Sequence, residues 1–186
     1  MYDRIETERL VLTVLDKESA AKVTRFLTEN RELFSQYEPE KKEVFYTTVY
    51  QEYVLDCEYR AMSEKKYVRY YAFRKEDISQ KKVIGTVSFG QLRPFPYSSG
   101  IVGYKVAEEE QGKGYGTEMV AAAVEWAFPY FGLHRLEAYV LEDNYASARL
   151  LEKCGFTQEG FCRSNLKVNG KWRDHRLYAK LERDFR

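Results

Sequence analysis

The sequence has few cysteines and almost no excess of either charge. Its three cysteines, Cys57, Cys154 and Cys162, stand far apart without a CxxC pair, which suits neither a disulfide framework nor a cysteine-rich zinc site. Thirty basic residues against 29 acidic ones leave a formal net charge of +1, so the chain lacks the positive field that neutralises nucleic-acid phosphates. We expect free thiols in a reducing compartment and no nucleic-acid partner.

Long apolar runs and targeting segments are also missing. Residues 1–6 lack the apolar stretch of a signal peptide, and Glu125 interrupts the most apolar helix candidate well before membrane-spanning length. No linker, repeat or low-complexity stretch divides the 186 residues, of which 44% are hydrophobic. A chain of this length can bury one substantial core. We expect a single domain over residues 1–186, cytoplasmic and without membrane attachment.

Hydrophobic periodicity predicts a mixed order of helices and strands, and therefore the α+β class. The strands are expected at 9–15, 68–74, 81–92, 99–106, 135–141, 156–168 and 171–181, and the helices at 17–30, 43–65, 115–131 and 146–153. The strands between 68 and 106 should form an antiparallel meander. Gly132 should end the third helix, and Asn169 with Gly170 should turn the last hairpin.

A glycine-rich loop joins the strand that ends at Val106 to the helix that begins near Tyr115. The loop reads Gln111-Gly-Lys-Gly-Tyr-Gly116, with glycine at every second position. Glycine lets backbone N–H groups approach a ligand without interference from a Cβ. The helix that follows adds unsatisfied N–H groups and the positive end of its dipole. This arrangement predicts a cradle for an anion such as a pyrophosphate.

Two other nucleotide-binding loops share the order of strand, glycine loop and helix. The dinucleotide fingerprint G-x-G-x-x-G carries a ribose-binding acid roughly 20 residues further on, which is where Glu137 lies. The alternate glycines and the acidic run Glu108–Glu110 disagree with that fingerprint, and the G-x-x-x-x-G-K-[ST] loop is absent. Dinucleotide binding by an oxidoreductase stays a competing hypothesis, which a preference for NADH over coenzyme A would support.

Residues 111–118 resemble the Q/R-x-x-G-x-G/A signature of the GCN5-related N-acetyltransferases (GNAT), and the chain is similar to the RimJ/RimL branch of that family. Further shared motifs are Thr7-Glu-Arg-Leu10, Asn144-Tyr-Ala-Ser147, Gly155-Phe156 and Arg173-Asp174. The resemblance implies the GNAT fold: a single mixed central sheet of about seven strands, flanked by helices, with a V-shaped splay between the fourth and fifth. It also implies acetyl-CoA as cosubstrate, no metal, and an amine acceptor, either a protein N-terminus or a small amine.

The resemblance assigns a coenzyme A site residue by residue. The pantetheine would pair with the backbone of one strand, and the pyrophosphate would lie on the amides of the loop. The residues implied are Tyr104, Lys105 and Val106 for the pantetheine, Gln111, Gly112, Lys113, Gly114, Tyr115, Gly116 and Thr117 for the pyrophosphate, and Asn144 as a further contact. A homodimer is compatible with this branch.

Acetyl transfer to an amine needs a proton acceptor for the amine, a polarised carbonyl and a proton for the departing thiolate. The resemblance points to Ser147 as the proton donor, because Leu151 replaces the tyrosine that many relatives use. The glutamate of RimL-type enzymes has no counterpart in residues 163–166, so we predict Glu137 as the base. The missing glutamate also leaves open a non-catalytic coenzyme A-binding regulatory or interaction module.

Other titratable side chains do not fit the positions that the family uses. His134 and His175 have unperturbed pKa values suited to a base, but neither lies where the resemblance places one. Asp174 is expected to fix the last hairpin. The aromatic residues expected to line the acceptor site are Tyr37, Phe45, Tyr46 and Tyr50.

Overall fold

The computed structural model describes residues 4–185; residues 1–3, which belong to the N-terminal segment considered above, and residue 186 lie outside the described part. The strands are β1 (Arg4–Glu6), β2 (Leu10–Thr13), β3 (Val68–Arg74), β4 (Gly85–Arg93), β5 (Ser99–Val106), β6 (Arg135–Leu141), β7 (Thr157–Val168) and β8 (Lys171–Leu181). The helices are α1 (Ala20–Glu29), α2 (Arg31–Ser35), α3 (Thr48–Ser63), α4 (Tyr115–Phe131) and α5 (Tyr145–Lys153). Short 3-10 helices cover Lys17–Ser19, Glu43–Tyr46, Glu108–Glu110 and Glu182–Phe185.

One sheet joins the strands in the order β1-β2-β3-β4-β5-β6-β8-β7. All neighbouring strands are antiparallel except β5 and β6. Those two are parallel and pair over three residues, ending at Ile101 opposite Glu137. Beyond that pair they diverge, which confirms the predicted V-shaped splay, the α+β class and the single mixed sheet.

Both faces of the sheet are covered by helices, as the alternation along β3 illustrates. Tyr70 and Ala72 belong to the core formed with α4 and α5, here called the α4 face. Tyr71 and Phe73 belong to the core formed with α1, α2 and α3, here called the α3 face. Because side chains alternate along a strand, the same rule assigns each residue of β5 and β6 to one face.

Two boundaries of the sheet differ from the sequence prediction. The short edge strand β1 makes the sheet eight-stranded, and its polar residues Arg4 and Glu6 are exposed, so no hydrophobic alternation marks it. The strand expected at 81–92 begins only at Gly85. The two turn predictions are confirmed: Gly132 ends α4 with a φ of 63°, and Asn169 and Gly170 have φ of 48° and 76°.

The buried face of α3 is not the one that its apolar residues predict. Val49 and Tyr53, two of its apolar residues, are 75% and 66% exposed. The residues buried instead are Leu55 and Gln51. The Gln51 side chain satisfies its amide by donating to the Phe45 carbonyl over 2.6 Å, so a polar residue occupies a core position without leaving an unpaired group.

Within residues 4–185, no helix combines the length and the apolar character needed to cross a bilayer.

Candidate active site

A cleft of about 510 Å³ opens where β5 and β6 diverge, a size typical of small-molecule sites. The edges of β5 and β6 form its walls, and the glycine loop and the start of α5 form its mouth. The predicted site residues that line it are Tyr104, Lys105, Val106, Gln111, Gly112, Gly114, Gly116, Thr117, Asn144 and Ser147. The structure therefore brings most of the predicted coenzyme A residues together around one cavity.

Two other predicted cofactor residues, Lys113 and Tyr115, are not among the residues that line the cleft. The Lys113 ammonium lies 3.1 Å from a carboxylate oxygen of the buried residue Glu110. The Tyr115 ring lies under the Arg9 guanidinium, 4.6 Å from its centroid. Only the backbone amides of Lys113 and Tyr115 are left to serve an anion.

The backbone of the glycine loop has the shape of an anion cradle. Gly112 and Gly114 have φ of 74° and 83°, a left-handed conformation that residues with a Cβ seldom adopt. Gly114 directly precedes the first turn of α4, where the N–H groups lack partners within the helix. A Cβ on Gly116 would lie 2.8 Å from Leu150 Cδ1, so this glycine allows α4 to approach α5 closely. These residues fit the pyrophosphate of coenzyme A.

The Thr7-Glu-Arg-Leu10 segment stabilises the position of the glycine loop through its hydrogen bonds to Glu118, which lies in the first turn of α4. The Glu118 carboxylate accepts hydrogen bonds from the Thr7 hydroxyl over 2.6 Å, from the Arg9 amide over 2.8 Å and from Arg9 Nε over 2.7 Å. Arg9 also donates to the carbonyl of Lys113 over 3.0 Å. Burial alone would raise the pKa of Glu118, but the hydrogen bonds from Thr7 and Arg9 outweigh it and lower that pKa.

Replacing Glu118 by glutamine should lower the free energy of unfolding by about 1–3 kcal/mol, because Arg9 and Thr7 would lose a charged partner. A carboxyl whose folded pKa is depressed stabilises the protein above its unfolded pKa of about 4.3. That contribution is lost as the pH falls through the lower folded pKa. Urea unfolding of the wild type and of Glu118→Gln across this pH range should therefore show a difference in unfolding free energy that becomes smaller as the pH falls.

The matched control is Glu125→Gln, which changes an exposed glutamate of the same helix. It should leave the unfolding free energy within about 0.5 kcal/mol of the wild type. An equal loss in both variants, or a loss that does not depend on pH, would contradict the anchoring role of Glu118.

Asn30 ties the corner between α1 and α2 to the segment before the loop. Its buried side chain donates to the Phe26 carbonyl over 2.8 Å and accepts from the Glu108 amide over 2.8 Å. Asn30 thus has a positioning role: its two hydrogen bonds fix the 3-10 turn Glu108–Glu110 that precedes the glycine loop.

Ser147 lies at the cleft, in the first turn of α5, and is held on two sides. The Asn144 side chain accepts a hydrogen bond from the Ser147 amide over 3.1 Å and so caps the helix. The Tyr104 hydroxyl lies 2.7 Å from Ser147 Oγ. Burial raises the pKa of Tyr104 and outweighs the opposing effect of its hydrogen bond to Ser147. Tyr104 therefore stays protonated. Its hydroxyl also lies 3.2 Å from the Ser147 carbonyl oxygen, to which it can donate, and in its contact with Ser147 Oγ either hydroxyl can be the donor.

A small side pocket of about 20 Å³ adjoins the cleft on the α3 face, with room for one water molecule or a methyl group. Its lining residues are Leu27, Phe34, Ser35, Glu38, Pro39, Lys41, Phe45, Tyr46 and Lys105. Phe34, Glu38 and Lys105 also line the cleft, so the two spaces share a wall. The Lys105 ammonium lies 2.5 Å from Glu38, and burial lowers its pKa even though Glu38 opposes that effect.

The aromatic residues expected at the acceptor site divide between these two spaces. Tyr37 lines the cleft, and Phe45 and Tyr46 line the side pocket. Tyr50 lines neither; its ring contacts that of Phe45 with 5.8 Å between centroids.

Glu137, the predicted base, is buried on the α3 face beside the point where the splay begins. Its Oε1 accepts from Arg135 over 2.8 Å and from Arg93 over 3.4 Å. Its Oε2 accepts from the Tyr139 hydroxyl over 3.2 Å. Tyr139 lines the cleft, whereas Glu137 does not. Its two carboxylate oxygens are engaged by Arg135, Arg93 and Tyr139, so its geometry favours a role in holding Tyr139.

Two basic residues that line the cleft were not singled out from the sequence, and His175, set aside there as a base, also lines it. Arg149 and Lys153 stand one turn apart on α5 and present two exposed cations; the i, i+4 spacing of two basic residues was the available signal. His175, on β8, is 4% exposed and also lines the cleft. In the described part of the chain, no group of three His, Cys, Asp or Glu side chains is placed to hold a metal ion.

Comparison with known proteins agrees with this site. Residues 9–157 match the family described as the acetyltransferase (GNAT) domain. The chain is 38% identical over 157 residues to "Probable N-acetyltransferase YjcK" of Bacillus subtilis, a match that covers 84% of this chain and 85% of that protein.

Two solved structures share the fold. The ribosomal-protein-S5-alanine acetyltransferase of Vibrio fischeri superposes with a TM-score of 0.91 at 28% identity, covering 98% of both chains. RimJ of Mycobacterium smegmatis, in complex with CoA-disulfide, has a TM-score of 0.86 at 23% identity, covering 94% of this chain and 83% of RimJ. The dinucleotide-binding hypothesis is replaced by three findings: a mostly antiparallel sheet with one splayed parallel pair, a matching family and relatives of the same class. This chain belongs to the GNAT acetyltransferase family, and its predicted enzyme class, an N-acetyltransferase, is confirmed.

Proposed function

We propose that this enzyme transfers the acetyl group of acetyl-CoA to the α-amine of a protein N-terminus whose first residue is as small as alanine. The methyl-sized side pocket beside the cleft carries this proposal, because it offers room for a small first side chain and no more. The likeness to the Vibrio fischeri S5-alanine acetyltransferase over the whole chain supports it. Two further predictions stay predictions: that the chain is one cytoplasmic domain, and that it forms homodimers.

On the donor side, acetyl-CoA supplies the thioester carbonyl that the amine attacks. The amides from Gln111 to Thr117 would hold the pyrophosphate, and the cations of Arg149 and Lys153 would neutralise phosphate charge at the mouth. The edge of β5 beyond Ile101, which has no β6 partner, would pair with the pantetheine. The coenzyme A complex of the RimJ neighbour, which has the same fold, supports this placement.

On the α4 face, Ser147 is proposed to give its hydroxyl proton to the thiolate sulfur as the carbon–sulfur bond breaks. Tyr104, 2.7 Å away, orients that hydroxyl and can return a proton to it. On the α3 face, Glu137 is proposed to keep the Tyr139 hydroxyl at the cleft wall. The acceptor would enter on this face, between α2 and β6.

A peptide panel tests the acceptor. Peptides that differ only in their first residue, alanine, serine, leucine or phenylalanine, are compared by thiol release from acetyl-CoA. The value of kcat/KM should be at least about tenfold higher for alanine than for leucine, because a side chain that does not fit loses pocket contacts. Spermidine is included to test the alternative that the acceptor is a small amine. Faster turnover of spermidine or of the phenylalanine peptide than of the alanine peptide would contradict the proposal.

Enlarging the side pocket should change this preference. Phe45→Ala should narrow the gap between the alanine and leucine peptides, because it removes an aromatic wall of the pocket. Tyr53→Ala, which removes an exposed aromatic ring from α3, is the matched control and should leave the preference unchanged. An unchanged preference in both variants would mean that the first side chain binds elsewhere.

A further inference from the structure

His175 lies on the same side of the cleft as the proposed acceptor entrance. It pairs with Leu141 of β6 on one side and with Cys162 of β7 on the other. Strand alternation places it on the α3 face with Leu141 and Tyr139, both of which line the cleft. Its side chain is buried and forms part of the cleft wall.

The hydrogen bond of His175 fixes its tautomer. Nδ1 lies 3.2 Å from the Arg173 carbonyl oxygen, which can only accept, so Nδ1 carries the hydrogen and Nε2 carries the lone pair. Burial lowers the pKa of His175, and the Arg173 charge adds to this; the carbonyl hydrogen bond and the charges of Asp174 and Glu142 oppose it without reversing it. The imidazole is therefore neutral at neutral pH.

The carboxylates that line the cleft are already paired. Glu38 bonds to Lys105 over 2.5 Å, and Glu110 bonds to Arg74 and Lys113. The charges that act on the imidazole are those of Arg173 and Asp174 on β8 and Glu142 after β6. Cys162 of β7 is its strand neighbour, and the titratable groups that line the cleft with it on the α3 face are Tyr139, Lys105, Tyr37 and Glu38. Among the described residues of the cleft wall, His175 thus combines a neutral state with an available lone pair.

We propose that Nε2 of His175 removes the proton from the acceptor amine, which makes His175 a catalytic residue; the inference rests on the proposed function. The proton moves from the ammonium nitrogen to Nε2, and the freed lone pair forms the new carbon–nitrogen bond. The carbon–sulfur bond breaks, and the sulfur takes a proton from Ser147. The second proton of the nitrogen replaces the one that Ser147 gave, and His175 releases its own to water, so one proton is released per acetyl group.

The test is the pH profile of kcat/KM for the alanine peptide in the wild type, His175→Asn and His175→Gln. Asparagine can keep the hydrogen bond to the Arg173 carbonyl but cannot accept a proton. Both variants should lose about 10²-fold or more in kcat while binding acetyl-CoA with unchanged affinity. In the wild type, where His175 takes the proton from the bound ammonium, kcat/KM should fall only as the pH drops through the lowered pKa of His175. The variants depend on the free amine, so their acidic limb should lie higher, at the amine's own pKa of about 7.7–8.

His134→Gln is the matched control, because His134 is the other histidine of the sequence and is exposed at the start of β6. His134→Gln should keep both the kcat and the pH profile of the wild type. An acidic limb at the same pH in His175→Asn as in the wild type, or a loss confined to acetyl-CoA binding, would overturn the proposal.

A second measurement keeps the proposal testable if both variants fail to fold. A peptide that begins with an aminooxy group is neutral at pH 7 and needs no base, so the wild type should show no acidic limb near neutral pH with it. With the alanine peptide the limb should lie at the lowered pKa of His175; a limb at the amine's own pKa of about 7.7–8 would mean that the enzyme uses the free amine without this base. Identical profiles for the two acceptors would overturn the role of His175. Absence of turnover with every amine would instead count against the proposed function.

Discussion

Gly116→Val should weaken acetyl-CoA binding by about a hundredfold. A Cβ at this position would lie 2.8 Å from Leu150 Cδ1 and 3.1 Å from Val106 Cγ2, closer than such contacts allow. The start of α4 would have to move away from α5 and β5, which displaces the amides of the cradle. Overpacking costs about 1–3 kcal/mol, and each 1.4 kcal/mol corresponds to a tenfold change in affinity.

Calorimetric titration with acetyl-CoA measures the effect, and a thermal melt shows that the variant is folded. Gly160→Ala is the matched control, since Gly160 on β7 has an ordinary φ and open space where a Cβ would stand. It should bind acetyl-CoA like the wild type. Equal affinity in Gly116→Val and the wild type would mean that this loop is not where the cosubstrate binds.

The features that the sequence predicts well are those that a short segment specifies by itself. The alternate glycines of residues 112–116 require a backbone that only glycine adopts easily, and the loop lies at the mouth of the cleft as expected. Asn144 and Ser147 are similar, because their hydrogen bond forms within a single helix start. Each of these interactions is local, so its spacing is visible in the sequence.

The features that the sequence misses depend on which distant segments meet. His175 reaches the cleft because β8 lies between β6 and β7 in the sheet. No residue near position 175 indicates this order of strands in the sequence. The sequence around Glu137 does not indicate its partner Arg93, which comes close because Ser99 pairs with Arg93 on one side and with Arg135 on the other. The packed face of α3 is likewise chosen by the sheet beneath it, which buries Gln51 and leaves Tyr53 exposed.

Ser147→Ala should lower kcat by about 10²–10⁴-fold, the range expected when a proton donor is lost. Acetyl-CoA binding should stay within about twofold of the wild type, because the glycine loop and the β5 edge carry it. Alanine also keeps the helix start intact, since Asn144 bonds to the backbone amide of residue 147 and not to its side chain. Single-turnover measurement of thiol release separates this loss from any change in product release.

Tyr104→Phe separates the proton donor from the group that orients it. Phenylalanine keeps the buried ring and removes the hydroxyl that lies 2.7 Å from Ser147 Oγ, so the serine hydroxyl loses its orientation but keeps its proton. We expect a loss of about fivefold, from one net hydrogen bond of about 1 kcal/mol. Because burial raises the pKa of Tyr104, its ionisation should add no basic limb below about pH 10.

An exposed serine at the end of α3 provides the control: Ser63→Ala removes a hydroxyl that donates to the Arg60 carbonyl and should leave kcat unchanged. Equal turnover in Ser147→Ala and the wild type would remove this hydroxyl from the mechanism, whereas a parallel loss of acetyl-CoA affinity would make it a binding residue. A loss in Tyr104→Phe as large as that in Ser147→Ala would instead assign the proton transfer to the tyrosine. The ratio of the two losses therefore decides which hydroxyl protonates the sulfur.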